Sequence, residues 1–212
     1  MAGGKFITLE GGEGTGKSTQ AALLAEGLRE AGKDVTVTRE PGGAPGAEQI
    51  RSLLVEGAVE RWDPMTEALL HVAARRQHLE ETIQPALDAG RWVVCDRFAD
   101  STMAYQGYGL GLGRDAMAGL HELAIGGMTP DLTVVLDLPV ETGLGRATAK
   151  SGGEDRYERM DAEFHRRLRD GFLDIARREP ERCAVIDALG AIDAVQAAIR
   201  AVVGERLGVD WP

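Results

Sequence analysis

The chain has 212 residues, 43% of them apolar and 27% charged, which suits one soluble α/β domain able to bury a core without staples. Lys and Arg number 24 and Asp and Glu 34, a net charge of −10; so acidic a chain lacks the broad cationic field that nucleic acid or an anionic membrane surface requires. Cys95 and Cys183 are too few for a disulfide scaffold, and no apolar run approaches the ~18 residues of a spanning helix. The start, Met1-Ala2-Gly3-Gly4-Lys5, has no apolar signal core, so the expectation is a reduced, cytoplasmic protein.

Short β-like runs alternate with longer helical ones. Lys5–Glu10 reads as a strand that ends at a Gly-rich loop. Lys17–Ala31 places Ala21, Leu24, Leu28 and Ala31 at helical spacing, with Gly32 as its stop. Asp34–Thr38 alternates like a strand, and Arg39–Gly46 has the composition of a loop. Ala47–Glu56 and Pro64–Asp88 read as helices, Arg91–Cys95 as a short buried strand and Asp115–Ile125 as a helix. Leu132–Leu138 is the most strand-like run of the chain. Val140–Ala149 reads as a helix and Lys150–Asp155 as a loop; Tyr157–Arg178 is a charged helix, Cys183–Asp187 a last strand and Ile192–Leu207 a last helix. Five strands separated by helices predict a parallel sheet covered on both faces, in one domain spanning residues 1–212.

The first strand leads into Gly11-Gly12-Glu13-Gly14-Thr15-Gly16-Lys17-Ser18, the pattern G-x-x-x-x-G-K-[ST] between a strand and a helix. Its glycines let backbone N–H groups turn inward around a phosphate, and the helix adds its positive end. Lys17 supplies a point charge for the β- and γ-phosphates, and the Ser18 hydroxyl is a ligand for Mg²⁺. The predicted architecture is therefore the three-layer P-loop NTPase fold with a five-stranded parallel sheet. The chain contains no Asn, which rules out the Asn-Lys-x-Asp guanine loop of a GTP switch and the catalytic-loop Asn of a protein kinase. A motor-type ATPase would end an apolar strand in Asp-Glu; here the candidate strands end in Asp96-Arg97 and Asp137-Leu138. Ligands of such sheets bind beyond the carboxyl ends of the strands. Asp96 is thus placed to organise Mg²⁺ and Arg97 to hold a second phosphate; a plain ion pair at a strand end is the other reading.

The chain resembles bacterial thymidylate kinases nearly end to end. The resemblance is carried by Phe6-Ile7-Thr8-Leu9-Glu10-Gly11 into the P-loop with Ser18-Thr19-Gln20, by Thr38-Arg39-Glu40-Pro41-Gly42-Gly43, by Ala73-Ala74-Arg75, by Asp96-Arg97-Phe98 with Ser101-Thr102 and Ala104-Tyr105-Gln106-Gly107, and by Asp155-Arg156. It implies transfer of the γ-phosphoryl group of ATP to dTMP with Mg²⁺, in a homodimer. By the same resemblance Glu13 contacts the acceptor sugar, Arg39 and Arg97 clamp the acceptor phosphate and Arg75 reads the thymine edge. Ser101, Thr102 and Gln106 are polar contacts to base or sugar, and Tyr105 lies under the deoxyribose. P-loop residues 11–18, Thr19 and Arg146 would hold ATP, with Arg146 against adenine, and Asp187-Ala188 would lie near it.

His71 departs from the family, whose close members carry Phe there to stack on thymine. It lies one helical turn before Arg75. Stacking on the base and a half-buried helix histidine remain equal readings. The lid is assigned to residues 146–156, where Arg146, Lys150 and Arg156 are the candidate catalytic cations. Thr148 and Lys150 stand where Arg is common in the family. The other functions consistent with the residues are a P-loop kinase for another nucleotide or deoxynucleoside, and an ATP-binding regulatory switch. The apolar stretches near Pro64–Leu79 and Ala116–Met128 are the candidate dimer surfaces.

Overall fold

The computed structural model describes residues 3–148 and 155–212. Strands β1 (Phe6–Glu10), β2 (Val35–Arg39), β3 (Trp92–Asp96), β4 (Leu132–Asp137) and β5 (Cys183–Asp187) form one parallel sheet in the order β2-β3-β1-β4-β5. Each strand lies within a residue or two of its predicted range. β1 is central and buried throughout, as a parallel strand covered on both faces must be.

Side-chain alternation along β1 assigns the two faces. Ile7 and Leu9 pack with Leu24 and Leu28 of α1 (Lys17–Glu30) and with Ile199 and Val203 of α9 (Ile192–Leu207). Phe6 belongs to a second cluster with Ile83, Ala86 and Phe98, meeting the Phe98 ring edge-on at 4.9 Å. A third cluster joins Val135 and Tyr105 to Leu168, Phe172 and Ile175 of α8 (Ala162–Arg178). Thr8 between them is buried, and its hydroxyl bonds that of Thr133 at 2.9 Å. The remaining helices are α2 (Pro45–Val55), α3 (Pro64–His78), α4 (Gln84–Asp88), α5 (Ala99–Thr102), α6 (Arg114–Ile125) and α7 (Val140–Thr148).

Three departures from the sequence reading matter for the site. The helix expected over Pro64–Asp88 contains a π-helical turn, Leu79–Ile83, between α3 and α4. Pro85 has no N–H to give the carbonyl four residues back, and Gln84 N–H reaches back five residues to Leu79. Second, α8 begins at Ala162 rather than Tyr157, because the Asp161 carboxylate accepts the Phe164 N–H at 2.6 Å and caps it there. Third, α5 and a π-helical segment, Met103–Gly109, form where no element was expected.

Candidate active site

The strand ends converge on a cleft of about 710 Å³ at the carboxyl edge of the sheet. The P-loop forms its floor. Gly11 (φ 137°) and Gly14 (φ 67°) take backbone conformations that side chains disfavour. A Cβ would lie 2.4 Å from the Leu136 carbonyl oxygen at Gly11 and 2.0 Å from that of Gly143 at Gly14, so only glycine lets the loop fold this closely onto β4 and α7. Glu13, Gly14, Thr15, Gly16, Lys17, Ser18 and Thr19 line the cleft; Gly11 and Gly12 sit behind it, beside Leu136 and Asp137. Lys17 Nζ donates to the Gly12 carbonyl at 2.6 Å and to Thr15 Oγ1 at 3.1 Å. Burial, seconded by the Arg97 charge, pulls the Lys17 ammonium down to about 8 against the opposing pull of Glu13, Asp96 and Glu10.

Ser18 Oγ donates to Asp96 Oδ2. The other Asp96 oxygen, Oδ1, is buried with no hydrogen-bond partner. A hydroxyl and an under-used carboxylate at the head of α1 are the hard oxygen donors that Mg²⁺ prefers, and this pair fits the ion.

Beyond β3 the chain turns sharply. Arg97 is the only described non-glycine residue with a left-handed backbone, φ 71°, and three bonds hold it there. Its N–H donates to the Leu9 carbonyl at 3.0 Å, its carbonyl accepts from Cys95 Sγ at 2.9 Å, and the next N–H, of Phe98, donates to Glu10 Oε1 at 2.7 Å. The turn aims the Arg97 guanidinium back at the P-loop. Nη2 donates to both Glu13 oxygens at 3.1 Å, and Nη1 donates to the Gly11 carbonyl at 3.1 Å. Tyr105 donates its hydroxyl to Glu13 Oε1 at 2.5 Å, and its ring lies 5.0 Å from the guanidinium. Burial would raise the Glu13 carboxyl, but Arg97 and then Lys17 outweigh it and hold Glu13 below its ordinary value. Glu13 is therefore an anion built into a phosphate-binding loop.

Glu10 is the opposite case. Burial, reinforced by the Asp100 charge, raises its carboxyl from 4.5 to about 7. The native state thus holds this proton more tightly than the unfolded chain, so the stability it lends is full below pH 4.5 and is lost as pH rises toward about 7. Glu10→Gln should flatten the fall of melting temperature between pH 5 and about 7, measured by calorimetric scans across that range; equal slopes in the two proteins would contradict it. Ser101 lines the cleft, but its hydroxyl is committed to Glu10 Oε2 at 2.5 Å. Ser101 thus supports the Glu10–Arg97 turn from a position on the cleft wall.

Farther along the cleft Arg75 is almost fully buried. Nε donates to Glu40 Oε2 at 2.7 Å, and Nη2 donates to the Phe98 carbonyl and to Thr102 Oγ1, both at 2.8 Å. Nη1 has no partner. His71 lines the cleft one turn away, half-buried, with Nε2 2.8 Å from the Tyr157 hydroxyl. Desolvation, then the Arg75 and Arg156 charges, push its imidazole down to about 3, so it is neutral at neutral pH. Gln106 lines the cleft while its amide donates to Glu67 Oε1 at 2.7 Å. Arg39 lies half-exposed at the rim, paired with Glu48 at 3.1 Å. The sequence reading missed Arg51, which lines the same rim and donates Nη1 to the Pro41 carbonyl at 2.6 Å. Its place on the cleft face of α2, behind the Arg39-Glu40-Pro41 string, was the available signal.

The opposite end of the cleft is an apolar slot lined by Ala188, Ala191, Ile192 and Val195. Arg146 borders it and is fixed by bonds to the carbonyls of Ala188 (3.1 Å) and Leu189 (3.3 Å).

Arg156 requires a correction. It was assigned to the lid as a candidate catalytic cation, yet its side chain is 1% exposed and outside the cleft lining. It pairs with Glu67 at 2.5 Å and donates to the carbonyls of Leu54, Ala58 and Val59. A guanidinium with its donors so engaged holds the turn before α8 onto α2 and α3. Lys150 and the middle of the 146–156 segment lie outside the described residues.

Comparison with known proteins places these features in a group. A family model described as thymidylate kinase matches residues 9–199. The thymidylate kinase of Caulobacter vibrioides is 58% identical over 209 residues, covering 99% of this chain and 100% of that protein. The thymidylate kinase of Ruegeria pomeroyi is 54% identical over 200 residues, covering 94% of each chain. The crystal structure of thymidylate kinase from Ehrlichia chaffeensis superimposes with a TM-score of 0.78 at 39% identity, covering 95% of this chain and 98% of that one.

Proposed function

The chain belongs to the thymidylate kinase family, and on that premise we propose how its cleft carries the γ-phosphoryl group of ATP to dTMP, giving dTDP and ADP. The single observation that carries the assignment of residues is the knot of Glu13, Arg97 and Tyr105 beside Lys17. It sets an anion-holding guanidinium within reach of the triphosphate loop, as a second, acceptor phosphate requires.

The backbone of residues 13–17 and Lys17 hold the β- and γ-phosphates. The apolar slot takes adenine, with Arg146 at its edge. Arg97, Arg39 and Arg51 hold the dTMP phosphate, with the planar fork of arginine suited to two oxygens at once. A non-bridging oxygen of that phosphate attacks γ-phosphorus in line. The bond to the β–γ bridging oxygen breaks, and ADP leaves with the electron pair. No side chain need act as base, because a phosphate monoester with its second pKa near ~6 is already largely a dianion at neutral pH. Glu13 accepts from the sugar 3′-hydroxyl, and the Tyr105 ring closes the space a 2′-hydroxyl would need. Arg75 Nη1 donates to the base edge, and the neutral His71 ring lies flat against it. Ser18 and Asp96 hold Mg²⁺, which when bound neutralises charge on the transferring phosphates.

The family-typical homodimer is also part of this proposal. Met65 and Leu69 on α3 and Leu123 on α6 are exposed apolar side chains within the two expected surface stretches. No described helix is long and apolar enough to cross a membrane, and a cytoplasmic site of action fits a substrate pair found there.

The test is an ADP-release assay over an acceptor panel. dTMP should be preferred over dCMP, dGMP and thymidine; equal or better rates with any of those would assign another acceptor, and ATP binding with no monophosphate binding would favour a regulatory switch. Arg97→Ala should lower kcat and raise the KM for dTMP, reducing kcat/KM for dTMP about a hundredfold or more, with a smaller change in the KM for ATP. Steady-state kinetics with each substrate varied in turn checks it.

A further inference from the structure

Arg75 cannot orient itself. It is buried, and the direction of its one uncommitted nitrogen is set by Glu40 at Nε together with the Phe98 carbonyl and the Thr102 hydroxyl at Nη2. Glu40 is 5% exposed and uses both carboxylate oxygens inside the protein: Oε2 accepts from Arg75 Nε at 2.7 Å, and Oε1 accepts from His78 Nδ1 at 3.0 Å. His78 is fully buried on the last turn of α3, three residues after Arg75. Its other nitrogen, Nε2, lies 2.6 Å from the hydroxyl of Thr38, the residue before Arg39. One imidazole therefore bridges the end of β2 to the carboxylate that aims Arg75.

The loop after Glu40 is fitted to this ring. Gly43 has φ 84°, and a Cβ there would come within 2.4 Å of His78 Nε2 and 2.5 Å of Thr38 Oγ1. The Gly43 carbonyl accepts from Thr82 Oγ1 at 2.7 Å. The Gly43 N–H donates to Glu48 Oε1 at 2.8 Å, and the other Glu48 oxygen pairs with Arg39. The chain of contacts runs unbroken from Arg39 at the phosphate rim, through Glu48, Gly43 and His78, to Glu40 and Arg75 at the base end.

We propose that His78 is a positioning residue of the acceptor site: it touches no substrate, but it fixes Glu40 and Thr38 and so sets the aim of Arg75 relative to Arg39. The proposal rests on the assignment of the acceptor pocket to dTMP. Its consequence is specific to one substrate. Loss of the two imidazole bonds should loosen recognition of the base edge while leaving the ATP slot, at the far end of the cleft, as it was.

The experiment compares wild type, His78→Phe and His78→Gln. Phe keeps a planar ring but offers neither bond; Gln can donate to Glu40 and pair with Thr38 through opposite ends of its amide. His78→Phe should raise the KM for dTMP about tenfold or more, with a much smaller change in kcat and an unchanged KM for ATP. The ratio of kcat/KM for dTMP to that for dCMP should fall in the same proportion. His78→Gln should recover most of the loss. An unchanged KM for dTMP in His78→Phe, or equal rises in the KM for dTMP and for ATP, would overturn the proposal, as would a ratio that does not move. Should His78→Phe not fold, Glu40→Gln and His78→Gln read the same ratio, and no shift in Glu40→Gln counts against it. Calorimetric titration of wild type with dTMP separates the two assignments: no binding there refutes the dTMP pocket itself, whereas wild-type binding matched by His78→Phe refutes only the role of His78.

Discussion

Lys17→Ala lowers kcat by about a thousandfold or more, measured as ADP release at saturating ATP and dTMP, while the melting temperature stays near that of the wild type. The size follows from what the charge does. In a water-poor cleft a preorganised cation facing the transferring phosphoryl group acts against a low effective dielectric, and removal of one such donor typically costs a hundred- to a thousandfold in kcat. Stability is spared because among the described residues the ammonium bonds only the Gly12 carbonyl and the Thr15 hydroxyl, and Ala relieves the cost of burying a charge there. A second signature belongs to the same residue. Its ammonium is drawn down to about 8 by burial and the Arg97 charge. It is charged below that value and neutral above it, so ATP affinity for the free enzyme should weaken between pH 7 and pH 9. Titration calorimetry at the two pH values checks this, and Lys17→Ala should show no such drop. A fully active Lys17→Ala enzyme would remove the P-loop from the mechanism altogether.

Arg156→Ala should act on the fold rather than on the chemical step. Glu67 and Arg156 are each about 1% exposed and lie 2.5 Å apart. Removal of the arginine leaves the buried Glu67 carboxylate with no cation, beside only the neutral Gln106 amide and Tyr157 hydroxyl among the described residues, and strips three backbone carbonyls of their donor. Breaking a buried pair in this way costs about 3–5 kcal/mol. For a chain of this size that is a fall of roughly 6–20 °C in melting temperature. The alternative, an arginine that swings over the phosphates, predicts a large loss of kcat with an unchanged melt. Thermal denaturation together with single-turnover rates on folded protein distinguishes them. A normal melting temperature with kcat reduced a hundredfold would return Arg156 to the lid.

What the sequence disclosed, and what it did not, divides along the range of the interactions. The strands were legible because Ile7, Leu9, Val93 and Val134 are read from their own neighbours. The P-loop was legible because its glycines and Lys17 act within eight consecutive residues. Arg97 was legible as a cleft residue because it follows a strand end. Arg156 was misread because its partner Glu67 is 89 positions away and nothing near Arg156 announces it. The bridge of His78 to Glu40 spans 38 residues, and Arg51 reaches the Pro41 carbonyl across ten positions. The segment 99–109 escaped notice for another reason. Ser, Thr, Tyr and two glycines are weak helix formers, and packing of Ala104 and Tyr105 against Phe164 and Phe172 holds it in place. His71 had two open readings, a half-buried helix residue or a ring stacked on the base; the structure shows a half-buried helix residue that lines the cleft.

The strand order also bears on how the protein is made. β1 is completed by residue 10, but its neighbours in the sheet are β3 at Trp92–Asp96 and β4 at Leu132–Asp137. At about 5–20 residues per second on the ribosome, β4 is synthesised roughly 7–27 s after the start. Until residue 96 is made the apolar strand FITLE has neither of its native partners, and through the rest of that interval it still lacks β4, while Gly11 and Gly14 lack the Leu136 and Gly143 carbonyls they fold against. The nucleotide loop is thus among the earliest segments of the nascent chain to emerge and among the last to acquire its shape.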